Sequence, residues 1–151
     1  YAQQHLESWP HEVGGDNMGP WVRLYLDGSE GSAWAWCAGF VSFILRQASH
    51  TLEVPLPLVR SFHCGDLARD ARKKGLLLEG TAEGDSRLGP GCVFLRRHGE
   101  DGWSHTGFVA DAEAQLFTTI EGNADNGEHG RGYEVCQRIG GYGDYDFILL
   151  G

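Results

Sequence analysis

No stretch of this sequence approaches the roughly 18 consecutive apolar residues that a membrane helix requires, so nothing in it reads as a membrane span. Basic residues are scarce as well: 12 Lys and Arg stand against 21 Asp and Glu, for a formal charge of −9. A phosphate backbone must be met by clustered cations, so this balance argues against a nucleic-acid partner. The one basic cluster, Arg69-Asp70-Ala71-Arg72-Lys73-Lys74, suits the C-terminal end of a helix, where positive charge complements the dipole. The four cysteines, at 37, 64, 92 and 136, form no CxxC pair, and the usual zinc spacings are missing. They allow two disulfides, or at most one if Cys37 stays a free thiol.

No repeat, low-complexity tract or long linker divides the 151 residues, a length that suits one domain with a real core. No signal-peptide pattern is read in this sequence, which opens at Tyr1 and not at Met. The expectation is therefore a processed or excised piece of a longer protein whose flanks carry any targeting signal.

Glycine is plentiful, with 23 residues, which implies many tight turns and short elements. Residues 2–8 read as a short helix ending before Pro10. Pro20 suits the first position of a second helix within 19–28, and Gly28 suits its end. From Cys37 onward Phe40, Val41, Ile44, Leu45 and Ala48 recur at helical spacing, which predicts a buried central helix. Ser61 is placed to cap a further helix over roughly 62–74, closed by Gly75.

After Gly89-Pro90-Gly91 the pattern changes to short strand-like runs at 92–98, 104–111, 115–122, 133–139 and 145–150. Helices followed by a series of strands predict an α+β domain, its N-terminal helices packed on a C-terminal antiparallel sheet.

Cys37 stands where the polar approach AWAW turns into that apolar helix. A helix N-terminus carries unpaired N–H groups and the positive end of the dipole. Thiols in such settings ionise at about 3.5–7.5 instead of about 8.5, and the same N–H groups can hold an oxyanion. The competing reading is a cysteine that packs as a small hydrophobe.

A thiolate nucleophile needs an imidazole, and the imidazole needs an orienting partner. His105 opens the strand-like run SHTGFVAD, and QLFTTIEGN follows it. A hairpin turning through Ala112-Glu113-Ala114 sets His105 directly opposite Glu121. A loop two residues longer or shorter moves the partner to Asn123 or Thr119 and keeps the face. A weak surface pair between a strand-edge His and an exposed Glu is the ordinary alternative.

Together and in this order, WCAGFV (36–41), HTG (105–107) and EGN (121–123) resemble the CHAP family of cysteine, histidine-dependent amidohydrolases/peptidases. The likeness extends to GGDNMGPWVRLYL, GRGYEVCQRI and the closing DFILL, and so covers most of the chain. The resemblance implies a papain-like fold over residues 1–151 and cleavage of an amide bond in bacterial peptidoglycan through a thioester. It gives Cys37 the role of nucleophile and His105 that of general base and acid. Glu121 orients the imidazole, and Asn123 serves as an auxiliary polar group. Trp34, Trp36 and Trp103 are candidate walls of the substrate cleft, with core packing the rival role for Trp36.

Two departures from the family pattern stand out: Ala35 where relatives often carry proline, and Cys92 after Pro90-Gly91 where many carry aspartate. Neither touches the triad.

No cofactor or required metal is expected. Asp16, Asp27 and Glu30 match no dense ligand loop, and EGNADNGE (121–128) places Asn126 where a calcium loop needs glycine. The expected partner is the peptide stem of peptidoglycan, met by a monomer that works at the cell wall, in the periplasm or after secretion. Appended wall-binding or targeting domains fit the acidic surface. Two rival readings remain: a papain-like protease or deamidase acting on protein, and a catalytically silent wall-binding module.

Overall fold

The computed structural model describes residues 1–80, 82–100, 102–125 and 132–150. Four helices come first: α1 (Ala2–Ser8), α2 (Pro20–Tyr25), α3 (Cys37–Leu52) and α4 (Cys64–Lys73). Six strands follow: β1 (Leu77–Leu78), β2 (Val93–His98), β3 (Gly102–Ala112), β4 (Leu116–Ala124), β5 (Glu134–Gly141) and β6 (Tyr145–Ile148). They form one sheet in the order β1-β6-β2-β3-β4-β5, and every pairing is antiparallel. This is the α+β arrangement expected from the order of helical and strand-like segments. Among the described residues no helix is long and apolar enough to cross a membrane.

α3 is the central element. Its apolar face brings Phe40, Val41 and Ile44 into one core with Val93, Leu95, Phe108 and Ile120 of the sheet and Leu67 of α4. Burying large aliphatic and aromatic side chains contributes roughly 1.5–3 kcal/mol each, so this helix–sheet core is what fixes the start of α3 against the strands. A second cluster of Phe94, Phe117, Tyr142 and Phe147, with Cys92 among them, packs separately. Cys92 is thus an apolar packing group in this chain, only 5% exposed.

Glycine permits the close approach between helix and sheet. A Cβ at Gly122 of β4 would stand 2.7 Å from Phe40 Cβ and 2.8 Å from the Trp36 ring. Hydrogen is the only substituent that fits.

Two expectations shift in detail. α4 starts at Cys64, not at 62, with His63 at the N-cap and no side-chain cap. Ser61 instead organises the turn before it, accepting the His63 N–H at 3.1 Å and donating to Asp66 Oδ2 at 2.6 Å. Gly75 closes the helix as expected, with φ +71°.

The β3–β4 hairpin is also displaced. Its ladder pairs Ala112 with Phe117 and Phe108 with Ile120, with a bulge between Val109 and Asp111. The later turn and the bulge together move the register by two residues, so side chains keep their face while partners change. Continuing the Phe108–Ile120 register puts Gly107 across from Glu121 and His105 across from Asn123.

Candidate active site

Cys37 is the first residue of α3 and is 5% exposed. Trp36 at the N-cap supplies no side-chain cap, so the terminal N–H groups of the helix stay available near the sulfur. Three groups act on that sulfur in addition to its burial. Cys64 lies with its Sγ at 3.8 Å, and the His105 imidazole and the Ala38 N–H are near enough to stabilise charge on it. Cys64 is the strongest influence; with His105 and Ala38 it overcomes burial and holds the Cys37 thiol well below the ordinary range.

His105 is influenced from two sides: Nε2 meets Glu121 Oε2 at 2.9 Å, and the imidazole interacts electrostatically with Cys37. Burial pulls the imidazole down, but the thiolate and the carboxylate together outweigh it and push the imidazole up to about 9. Glu121 is itself buried, and burial alone raises its pKa. His105, the Thr119 hydroxyl and the charge of Arg138 reverse that and hold the carboxyl below the usual range. Thr119 Oγ1 donates to Glu121 Oε1 at 2.5 Å, so both carboxylate oxygens are engaged.

The diagonal reach from Glu121 to His105 is possible because the position across from Glu121 is glycine. A Cβ at Gly107 would meet Phe94 at 2.8 Å and the Ile120 carbonyl oxygen at 2.7 Å. A cavity of about 120 Å³ opens beside the pair, lined by Arg96, His105, Thr119, Glu121, Arg138 and Tyr145 among others. Cys37, His105 and Glu121 are brought together: His105 bonds Glu121 directly and acts electrostatically on the Cys37 sulfur.

The other candidates separate. Asn123 carries φ +55°, and its amide is assigned from its surroundings: oxygen accepting the Trp36 N–H at 3.1 Å, nitrogen donating to the Gly132 carbonyl at 3.2 Å. It anchors the residue before Cys37, and its polar atoms go to backbone and not to the imidazole. Trp36 is fully buried, stacked on Tyr25 at 5.5 Å, with Nε1 donating to Glu12 Oε1 at 2.9 Å. That corrects its placement in a substrate cleft: it is core. Trp103 is partly buried and donates from Nε1 to Asp146 Oδ2 at 2.8 Å, with Arg72 over its ring. It lines a different hollow, shared with Arg97 and Glu100. Trp34 alone of the three is exposed, at 39%, edge-on to Phe62.

Asp27 pairs with Arg60 and Arg46, and Glu30 accepts from Arg23 and the Gly19 N–H. Among the described residues no cluster of three or more His, Cys, Asp or Glu side chains is arranged to hold a metal ion. Residues 126–131, the later part of the EGNADNGE run and beyond, lie outside the described residues.

Thr119 enters the sequence reading only as an alternative partner of His105; its bond to Glu121 and the contact of Cys64 with Cys37 are not foreseen there. Thr119 precedes Glu121 by two on a strand and therefore shares its face, a signal present in TTIEGN. Cys64, like Cys37, is the first residue of a helix, but the cap at Ser61 set the expected start too early for that to show.

Comparison with known proteins finds no family model that matches this chain and no curated protein that matches it.

Proposed function

We propose that this protein is a cysteine amidohydrolase or endopeptidase of CHAP type that cleaves an amide bond in bacterial peptidoglycan. The observation that carries this reading is the grouping of Cys37, His105 and Glu121, with the sulfur at the start of α3 and the imidazole bonded to Glu121 and interacting electrostatically with Cys37. Such an ion pair has no evident structural use, and acyl transfer needs both halves of it.

In the first step the Cys37 thiolate attacks the amide carbonyl carbon, and the carbonyl oxygen takes the displaced electron pair. N–H groups at the uncapped start of α3 stabilise that oxyanion. The His105 imidazolium gives its Nδ1 proton to the amide nitrogen, the C–N bond breaks, and the amine leaves. The acyl group now sits on Cys37 as a thioester, and His105 is neutral. Water then loses a proton to Nδ1 as its oxygen attacks the thioester, which releases the carboxylic acid and restores the ion pair. Glu121 keeps Nε2 protonated throughout and so fixes which nitrogen does the chemistry.

The order of CHAP-like motifs along the chain supplies the substrate class, since a cysteine–histidine pair defines acyl chemistry and not the acyl donor. Digestion of purified peptidoglycan followed by mass spectrometry of the soluble fragments tests it. New amine and carboxyl ends from the wild type, absent with Cys37→Ala, support the reading. Cleavage of a generic protein with untouched peptidoglycan would transfer the same chemistry to a protein substrate and overturn the substrate class.

A further inference from the structure

Two cysteines, 27 residues apart in sequence, each begin a helix and meet inside the protein. The Sγ atoms of Cys37 and Cys64 are 3.8 Å apart, in contact but not bonded, and both residues are buried. Resting on the proposed nucleophilic role of Cys37, we propose that Cys64 is a positioning residue whose S–H donates to the Cys37 thiolate and fixes the orientation of the attacking sulfur.

The surroundings of Cys64 are built to hold it there. Ser42 of α3 donates to the Ser61 carbonyl at 2.7 Å and accepts the Ser61 N–H at 3.1 Å, which ties the entry of α4 to the flank of α3. Ser61 in turn accepts the His63 N–H and donates to Asp66, fixing the turn that delivers residue 64. Leu67, Ala68 and Ala71 bury the inner side of α4 in the same core as Phe40 and Val41. The sulfur at residue 64 therefore has little freedom to turn away.

The chemistry is asymmetric. His105 and the Ala38 N–H favour charge on Cys37, whereas the contact with Cys37 and burial disfavour it on Cys64, so the negative charge settles on Cys37 and Cys64 keeps its proton. An S–H is a weak donor to a neutral acceptor, but a bond to an ionised sulfur is charge-assisted. The groups that act on the thiolate are thus His105 from β3, backed by Glu121 from β4, Ala38 from α3 and Cys64 from α4. Because the sulfur gives up its charge as the C–S bond forms, a donor that steadies the thiolate also restrains it. Cys64 sets the fraction ionised at the cost of some intrinsic nucleophilicity.

That pair of opposed effects is a signature that loss of packing does not produce. The test measures iodoacetamide alkylation of Cys37 against pH, under reductant, with mass spectrometry to confirm the site, in wild type, Cys64→Ala and Cys64→Ser. Cys64→Ala is expected to raise the pH midpoint by about one unit, so that about tenfold less thiolate is present at a pH below both midpoints. The plateau rate of the fully ionised sulfur is expected to rise about threefold, since nucleophilicity follows basicity with a slope of about 0.4–0.5. Cys64→Ser retains a donor and is expected to bring both values back toward wild type.

A low wild-type midpoint left unmoved by Cys64→Ala, or moved without rescue by Cys64→Ser, overturns the role of Cys64 and leaves the proposed function standing. A wild-type Cys37 that titrates as an ordinary thiol overturns both. Should either variant fail to fold, Raman spectra of the wild type before and after alkylation of Cys37 decide the matter. The S–H stretch of Cys64 is expected to move to higher frequency once its anionic acceptor is gone, and an unmoved spectrum overturns the hydrogen bond.

Discussion

Glu121 bonds the His105 imidazole at 2.9 Å although the β3–β4 register sets it across from Gly107 and not from His105. The carboxylate reaches diagonally, a distance of about 7–8 Å between such positions that a long side chain can close. Its other oxygen is held by Thr119. The carboxylate is therefore fixed at both ends before any substrate arrives.

Glu121→Gln removes the charge that keeps His105 protonated and correctly oriented. It is expected to lower kcat/KM by about 10²–10⁴-fold, the usual range for a compromised acid–base group. The alkaline limb of the pH profile is expected to move to lower pH, because one of the two groups raising the imidazole is gone. Steady-state kinetics over pH check both points.

On the proposed mechanism the unmodified protein is expected to show an activity plateau bounded on the alkaline side near pH 9. The imidazolium, whose pKa is raised to about 9, is present below that value and lost above it. The Cys37 thiol is depressed, so its thiolate is lost only as the pH falls through that lowered value. Activity needs both charged forms for acylation, and the window between them is where it is found.

Selective alkylation follows from the same distribution of charge. Burial and the nearby carboxylates of Glu121 and Glu134 push the Cys136 thiol up to about 12, and the contact between Cys64 and Cys37, with burial, raises the Cys64 thiol. At neutral pH iodoacetamide is expected to modify Cys37 well before either of these, as peptide mapping over a time course shows.

Two tryptophans separate stability from substrate contact. Trp36→Ala empties a fully buried site and removes the bond to Glu12, and is expected to cost about 3–5 kcal/mol. Trp34→Ala removes an exposed ring and is expected to raise KM while the unfolding midpoint stays in place. Denaturant unfolding and kinetics on both variants make the comparison.

Gly122→Ala forces a methyl group against Phe40 and Trp36, 2.7–2.8 Å away, in the interface that sets the start of α3. A loss of about 1–3 kcal/mol is expected from such overpacking. A lower denaturant midpoint with an unchanged slope identifies it.

The α+β order was legible because helical spacing over 37–48 and alternating short runs after Gly91 are local patterns that the core then reinforces. Cys37 was legible for the same reason: a polar-to-apolar switch marks a helix start. His105 and Glu121 could be placed on one face from strand period alone, because the later turn and the bulge near Ala110 together shift the pairing by an even number. The exact partner could not, since bulges leave no reliable mark in sequence. Trp36 and Trp103 look alike next to Cys37 and His105, and only tertiary packing against Tyr25 and Asp146 shows that they face elsewhere. The Cys37–Cys64 contact joins two helix starts far apart in the chain, and no local pattern encodes it.

The central claim is that the Cys37 sulfur carries the acyl group, and trapping that intermediate tests it most directly. Acid quench of the enzyme during turnover of purified peptidoglycan fragments, followed by intact-protein and peptide mass spectrometry, reads the covalent state of Cys37. The account predicts a hydroxylamine-labile adduct on the peptide containing Cys37, lost in Cys37→Ala together with product formation. Continued cleavage by Cys37→Ala, or an adduct on a different residue, would contradict it.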